Sequence, residues 1–458
     1  MSFIRKIKKG NSVYLAEVEN RRNEDGKVVQ KHIRYLGKEI DGKAAKKVFS
    51  SEIEVKSVKQ YLDYYVLHDI AQKLGITEVL GEKMKQILLL VYTQIIERKS
   101  LYKLPEYVEH TRLKELLGLE KIVDKSLYEA LDALEALDFD YIEHKISEQF
   151  KLLYDDNEAI ILDVTDTYFA GSRADWKARR GKEGRYDKLL QIALAVTGKY
   201  GFPITHKTYE GNINNMMIFK DLIANFALLN FNVTILDRGM ICYESINDML
   251  SLKRPIITGL KSNQKILRDF IDPLNKDDIY NPACRTKLKN TVVYVRSFDF
   301  MGGKLITIFN PAIELSQKEK AMEAEKYDPQ KAKYYGYSFI FHTTQKTEKE
   351  VVLAYFDKDI VEKAFENIKS IIDINPIRHY RMDRVQAHVK ICYLAYAILA
   401  YLQYKVKPLG MSANTALENL QYAYQVELYS EKENFTWKKT VALKKIQLQI
   451  LDVLKCSV

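Results

Sequence analysis

Apolar and polar positions change period several times along the chain. Val13, Leu15 and Val18 suggest an extended run, Asp25-Gly26 offers a turn, and Val28-Val29 resume it, so residues 11–36 are predicted as a β-hairpin. A Lys-rich connector follows around residues 42–47. From about residue 57 to 153 the period is helical. Leu62, Tyr65, Val66 and Ile70 recur at helical intervals, as do Leu127, Leu131, Leu134 and Leu137. Gly75, Gly81, Pro105 and Gly118 punctuate this segment.

The pattern changes at residue 159. Residues 159–164 form a short apolar run, as expected of a buried strand, and Asp163 stands near its end. Residues 189–197 and 204–209 read as two more strands around a turn at Gly201-Phe202-Pro203. A helix opens at Asn214 and continues through Ile218, Leu222 and Phe226. Residues 232–236 form a fourth strand that ends at Asp237, 245–252 a helix, and 255–260 a fifth strand. The order is β-β-β-α-β-α-β. Strand-like runs at 292–295, 305–309 and 337–342, with a charged stretch at 317–333, indicate a β-rich insertion. From Lys349 the chain is predicted to be mainly helical.

These readings divide the chain into an N-terminal β-hairpin region (1–45) and a helical domain (55–153). An α/β catalytic core follows (158–264 and 346–405), interrupted by the β-rich insertion (265–345). A helical C-terminal region completes the chain (406–458). No internal repeat interrupts the scheme.

Composition narrows the partners. The 458 residues are 47% hydrophobic and 29% charged, as in an ordinary globular protein. Lys and Arg number 71 against 61 Asp and Glu, a formal charge of +10 that suits a polyanionic partner. Cys242, Cys284, Cys392 and Cys456 form no CxxC pair, so neither a zinc site nor a disulfide framework is expected. The basic start lacks the apolar core of a signal peptide. The apolar stretch 391–402 falls short of a membrane span and contains Tyr393, Tyr396 and Tyr401. A cytoplasmic protein without a membrane partner is expected.

Three acidic positions carry candidate chemistry. Asp163 and Asp237 each end a predicted buried strand, where a carboxylate costs desolvation energy unless a cation or hydrogen bonds compensate. Either residue could equally cap a turn or a helix. Asp166 is an alternative to Asp163, although strand alternation puts it on the opposite face. Tyr355, Lys358, Glu362 and Lys369 fall within a sector of about 60° at roughly 100° per residue, on the polar side of an amphipathic helix. A solvated face with a Lys–Glu pair fits that pattern too. Three carboxylates would suit two Mg²⁺ ions about 3.5–4 Å apart, which activate an attacking oxygen and steady a leaving oxygen in phosphoryl displacement. Lys358 and Lys369 could then contact DNA phosphates, and Tyr355 could position a phosphate or stack on a displaced base.

In these residues the sequence resembles an insertion-sequence transposase of the Asp-Asp-Glu class, in the group whose catalytic domain carries a β-strand insertion. Ile161-Leu162-Asp163-Val164-Thr165 resembles the first-aspartate motif, and Leu236-Asp237-Arg238-Gly239-Met240 resembles the second. Tyr355-x2-Lys358-x3-Glu362-x6-Lys369 is similar to the group's Tyr-Arg-Glu-Lys signature, with Lys358 in place of Arg. Lysine keeps the charge but loses the bidentate fork. Gln191, Glu210-Gly211-Asn212, Pro376, His379 and Ala387-His388 also follow the group's pattern.

The resemblance implies an RNase H-like mixed sheet whose first and fourth strands lie side by side, with helical N-terminal and C-terminal regions around it. It implies Asp163, Asp237 and Glu362 as ligands of two Mg²⁺ or Mn²⁺ ions. Arg238, Tyr355, Lys358 and Lys369 are implied as DNA contacts. The partners implied are the element's terminal inverted repeats and target DNA, bound by a homodimer in the synaptic complex, in nucleoid-associated cytoplasm. By the same resemblance the helical segment 55–153 would recognise the ends. A metal-dependent nuclease on the same fold and an inactive DNA-binding derivative are the alternatives.

Overall fold

The computed structural model describes the chain except residues 1, 11, 23–25, 41–42, 46–52, 82, 155–158, 169–177, 181–185, 212, 214, 226–232, 239–245, 252–253, 289–290, 358–380, 432–433 and 458. The chain forms two compact units: Met1–Gln60 with Ala423–Leu443, and Tyr61–Tyr422 with Lys444–Val458.

The first unit is built of strands. β1 (Ser2–Lys9), β2 (Ser12–Arg22), β3 (Val28–Ile40) and β4 (Lys43–Ala45) form an antiparallel sheet in that order. The predicted hairpin corresponds to β2 and β3, and Gly26 before β3 has the positive φ that a turn glycine supplies; Asp25 lies outside the described residues. Leu15, Ala16 and Val18 of β2 are buried. β1 has no buried position at all, so its residues show no alternation of burial for a sequence reading to detect.

A second, three-stranded sheet joins β5 (Ile53–Gln60) to Tyr424–Ser430, which pairs with Phe435–Thr440. This corrects two expectations. Residues 57–60 extend a strand instead of opening a helix, and the C-terminal region is not wholly helical. The cause is long-range pairing: Val58 lies opposite Val426, a partner that local periodicity cannot reveal.

The second unit begins with helices. Leu62–Lys73, Met84–Ile96, Asp124–Ala136 and Phe139–Lys151 bury apolar stripes, for example Leu127, Leu131 and Leu134. Met382–Val406 packs against Met84–Ile96 and Asp124–Ala136. The apolar run predicted at 391–402 belongs to this longer helix, which is long and apolar enough to cross a membrane. Of its apolar 18-residue window 83% is packed inside the protein, as in a core helix.

The rest of this unit is organised by one ten-stranded sheet. Its strands are β6 (Ile160–Tyr168), β7 (Ala178–Arg180), β8 (Tyr186–Thr197), β9 (Pro203–Glu210) and β10 (Thr234–Leu236), then β11 (Ile256–Leu260), β12 (Arg285–Leu288), β13 (Thr291–Phe300), β14 (Gly303–Phe309) and β15 (Tyr337–His342). The order is β12-β13-β14-β15-β11-β10-β6-β8-β7, and β9 also pairs with β8. β10 runs parallel to both β6 and β11, while β8 is antiparallel to β6. The insertion is therefore not a separate layer: β15 adds to β11 edge to edge, and β12–β14 extend the same sheet. On one face Ile160, Leu162, Val164, Leu236, Ile256 and Leu260 share a core with Ile218, Phe219 and Leu222 of the helix Asn215–Asn225.

A buried polar latch ties the helical segment to this sheet. Glu143 of the helix Phe139–Lys151 accepts hydrogen bonds from Thr205 Oγ1 at 2.6 Å and from the His206 backbone N–H at 2.9 Å, and its carboxylate also meets His206 Nδ1. The His206 ring stacks on Tyr393 with centroids 5.0 Å apart. Burial pushes the Glu143 carboxyl above the usual carboxylate range, against the opposing pull of His206 and the three hydrogen bonds. Removing one partner of such a pair leaves a buried polar group unsatisfied. Glu143→Ala is expected to cost about 3–5 kcal/mol in urea unfolding, and Glu143→Gln less. A loss below about 1 kcal/mol for the alanine variant contradicts the latch.

Candidate active site

The site is set by strand register. Leu162 of β6 lies opposite Leu236 of β10, and Leu236 lies opposite Thr258 of β11, all three strands running parallel. One residue further on, Asp163, Asp237 and Gly259 occupy adjacent positions on neighbouring strands; Asp237 directly follows β10, but β6 runs on to Tyr168, so Asp163 lies within its strand and not at the end that the apolar run 159–164 suggested. Parallel strands are spaced about 4.8 Å apart, so the two aspartates are close although 73 positions separate them in the sequence. Leu162 and Leu236 point into the core described above, so by alternation Asp163 and Asp237 point to the opposite face.

Both aspartates are half-buried, and Arg238 beside them is exposed. The Val164 backbone N–H donates to Asp163 Oδ1 at 2.7 Å. Asp166 is buried, lies opposite the buried Gln191 on β8, and shares the face of Val164. The structure therefore brings Asp163, not Asp166, alongside Asp237.

Tyr355 reaches this part of the sheet, at Gly259, from the helix Glu348–Phe356. That helix starts at a reciprocal cap: Thr347 Oγ1 accepts from the Glu350 N–H, and Glu350 Oε2 accepts from the Thr347 N–H at 2.8 Å. Tyr355, in the last turn, is buried, so its ring is packed and is not an exposed platform for a base.

Its seat is Gly259. A Cβ at that position would stand 2.1 Å from the Tyr355 hydroxyl oxygen, 2.8 Å from its Cζ and 3.1 Å from Arg238 Cβ. The phenol therefore lies on bare backbone, on the aspartate face of the sheet and one strand beyond Asp237. Sequence reasoning missed Gly259, although a glycine inside a predicted strand signals a close approach.

The donor set fits a divalent cation as far as it is described. Two half-buried carboxylates in register on neighbouring strands in the middle of the sheet offer the hard oxygen ligands that Mg²⁺ or Mn²⁺ prefers. Among the described residues no group of three His, Cys, Asp or Glu side chains is placed to hold a metal. Glu362, Lys358 and Lys369 lie outside the described residues, as do Asn212, Gly239, Met240, Pro376 and His379.

The family model described as "Transposase DDE domain" matches residues 154–398, a span that contains both aspartates, Gly259 and Tyr355. Among solved structures, the cryo-EM structure of a piggyBac transposase synaptic complex with hairpin DNA is similar over 78% of this chain and 77% of that chain, at 12% identity and a TM-score of 0.42. No curated protein matches the chain.

Proposed function

The chain belongs to the transposase DDE domain family, and from that premise we propose that it cuts DNA at the ends of an insertion sequence and joins them to target DNA. The observation that carries this reading is the in-register pair Asp163 and Asp237 on neighbouring parallel strands inside the matched region. The proposed architecture of the core is RNase H-like. The adjacency of β6 and β10, the first and fourth strands of the β-β-β-α-β-α-β series, supports it.

In this proposal Asp163 and Asp237 hold Mg²⁺ or Mn²⁺, and Glu362 supplies the third carboxylate. A bound pair of such ions supplies Lewis-acid activation of the attacking oxygen and stabilises the leaving one. Water attack on a phosphodiester at the element end breaks one P–O bond and leaves a 3′-hydroxyl. That hydroxyl attacks a target phosphodiester, forming one P–O bond as another breaks, so no energy-rich cofactor is required. Arg238, exposed next to Asp237, is placed to meet a phosphate, and Lys358 and Lys369 are assigned the same task. Tyr355 is assigned to positioning, because its phenol packs on Gly259, one strand beyond Asp237. Pairing of two ends calls for a homodimer, and the proposed setting is nucleoid-associated cytoplasm.

A labelled duplex carrying the element's terminal repeat tests the proposal. The full chain should cut it at the repeat boundary with Mg²⁺ or Mn²⁺ and not with EDTA. Binding of the repeat with no cleavage under either metal removes the assignment.

A further inference from the structure

Charge is unevenly distributed between the two units. Met1–Gln60 with Ala423–Leu443 carry 18 Lys and Arg against 11 Asp and Glu, a net +7 of the chain's +10. Residues 61–153, the part outside that unit of the segment 55–153 where end recognition was expected, carry 12 against 17, a net −5. A DNA duplex bears one negative charge per about 1.7 Å, and most of its affinity for proteins comes from cations that replace condensed counterions. The helical segment is of the wrong overall sign for that task, and the strand-built unit is of the right one.

The cations of that unit are presented outward. β1 is an edge strand, exposed along all eight residues, with Arg5, Lys6, Lys8 and Lys9 and no acid. On β3, Lys31, Arg34 and Lys38 are exposed. Lys6 and Arg34 are tied to Glu39 and Glu17. The side chains of Lys8, Lys9, Lys31 and Lys38 have no ion-pair or hydrogen-bond partner among the described residues.

One or two lysines suffice to keep an edge strand from pairing with another chain. Four cations on β1, continued by those of β3, make a field that gathers a polyanion. Phe3, Ile4, Ile7 and Tyr35 are also exposed on these strands.

We propose that the strand-built unit, Met1–Gln60 with Ala423–Leu443, is a duplex-DNA-binding module that grips the sugar-phosphate backbone through β1 and β3. The proposal rests on the transposase reading only for which duplex is bound, the element's end.

The test uses the full chain in EDTA, so that no cleavage occurs, with fluorescence anisotropy against salt for a terminal-repeat duplex and an unrelated one. Strand alternation puts Lys8 and Lys31 on one face and Lys9 and Lys38 on the other, so a variant with Lys8→Gln, Lys9→Gln, Lys31→Gln and Lys38→Gln, which clears both faces, should reduce the slope of log affinity against log salt by about 2. Each lost phosphate contact accounts for roughly one unit, and both duplexes should weaken alike. A matched variant of the helical segment, with Lys103→Gln, Lys121→Gln, Lys125→Gln and Lys151→Gln, should bind as the unsubstituted chain does.

The reverse result, with the helical variant weakened and the strand variant unchanged, overturns the proposal and leaves the transposase reading standing. Salt-dependent binding lost in the strand variant, together with an unsubstituted chain that cuts neither duplex in Mg²⁺, supports the module and removes the transposase reading.

Discussion

Replacing Asp237 by Asn is expected to lower end cleavage by about a thousandfold or more, and Asp163→Asn should do the same. The substitutions are nearly isosteric, and both residues stand outside the main apolar core, on the opposite face of the sheet, so the fold should survive. What is lost is a charged oxygen ligand on the face where the two carboxylates meet. Metal stabilisation of developing charge is worth several kcal/mol, and roughly 4 kcal/mol corresponds to a factor of about 10³ in rate. Binding of the terminal repeat should change little, because the aspartates repel phosphate unless a cation is present. Asp166→Asn is the internal comparison. Asp166 faces the other side of the sheet opposite Gln191, so cleavage should persist, with any effect appearing in stability. Near-normal cleavage by Asp237→Asn, or complete loss in a stably folded Asp166→Asn, would contradict this placement of the site.

The second large effect is expected at a residue with no functional group. Gly259→Ala puts a methyl 2.1 Å from the Tyr355 hydroxyl oxygen, far inside contact distance. The strand cannot yield easily, since β11 is hydrogen-bonded between β10 and β15. The helix Glu348–Phe356 or the tyrosine must move instead. Overpacking of this kind costs about 1–3 kcal/mol in stability. A shift near 1 Å beside reacting groups can cost about 10²-fold in rate. Cleavage by Gly259→Ala should therefore fall by about that factor while affinity for the terminal repeat holds. Tyr355→Phe introduced into the Gly259→Ala chain removes the atom that clashes most and should recover part of the thermal stability. Wild-type melting and cleavage by Gly259→Ala would show that the phenol does not rest on this backbone.

The candidate site was legible in part because each of its two described carboxylates follows an apolar run in a buried parallel strand. Apolar runs at 159–164 and 232–236, each followed or closed by an aspartate, are local patterns, and local patterns survive in a sequence. Gly259 was not legible in the same way. A glycine inside a strand signals a close approach, but what approaches is Tyr355, which arrives through a helix about a hundred positions later. The insertion was recognisable as β-rich, but its membership of the central sheet rests on the pairing of β15 with β11. The three-stranded sheet of the first unit was missed for the same reason, since β5 pairs with a strand from the far end of the chain. β1 was missed for a different one: an edge strand exposed on both faces has no burial pattern to read.

The central claim is that Asp163 and Asp237 serve phosphoryl transfer between DNA strands. Its most direct measurement is strand transfer, with a labelled, pre-cleaved terminal-repeat duplex, a supercoiled target plasmid and Mg²⁺. The account predicts covalent joining of the labelled 3′-end to the plasmid by the unsubstituted chain and no joining by Asp237→Asn at equal repeat binding. Joining at the wild-type level by the Asp237→Asn chain, or cleavage without any joining by the unsubstituted chain, would contradict it.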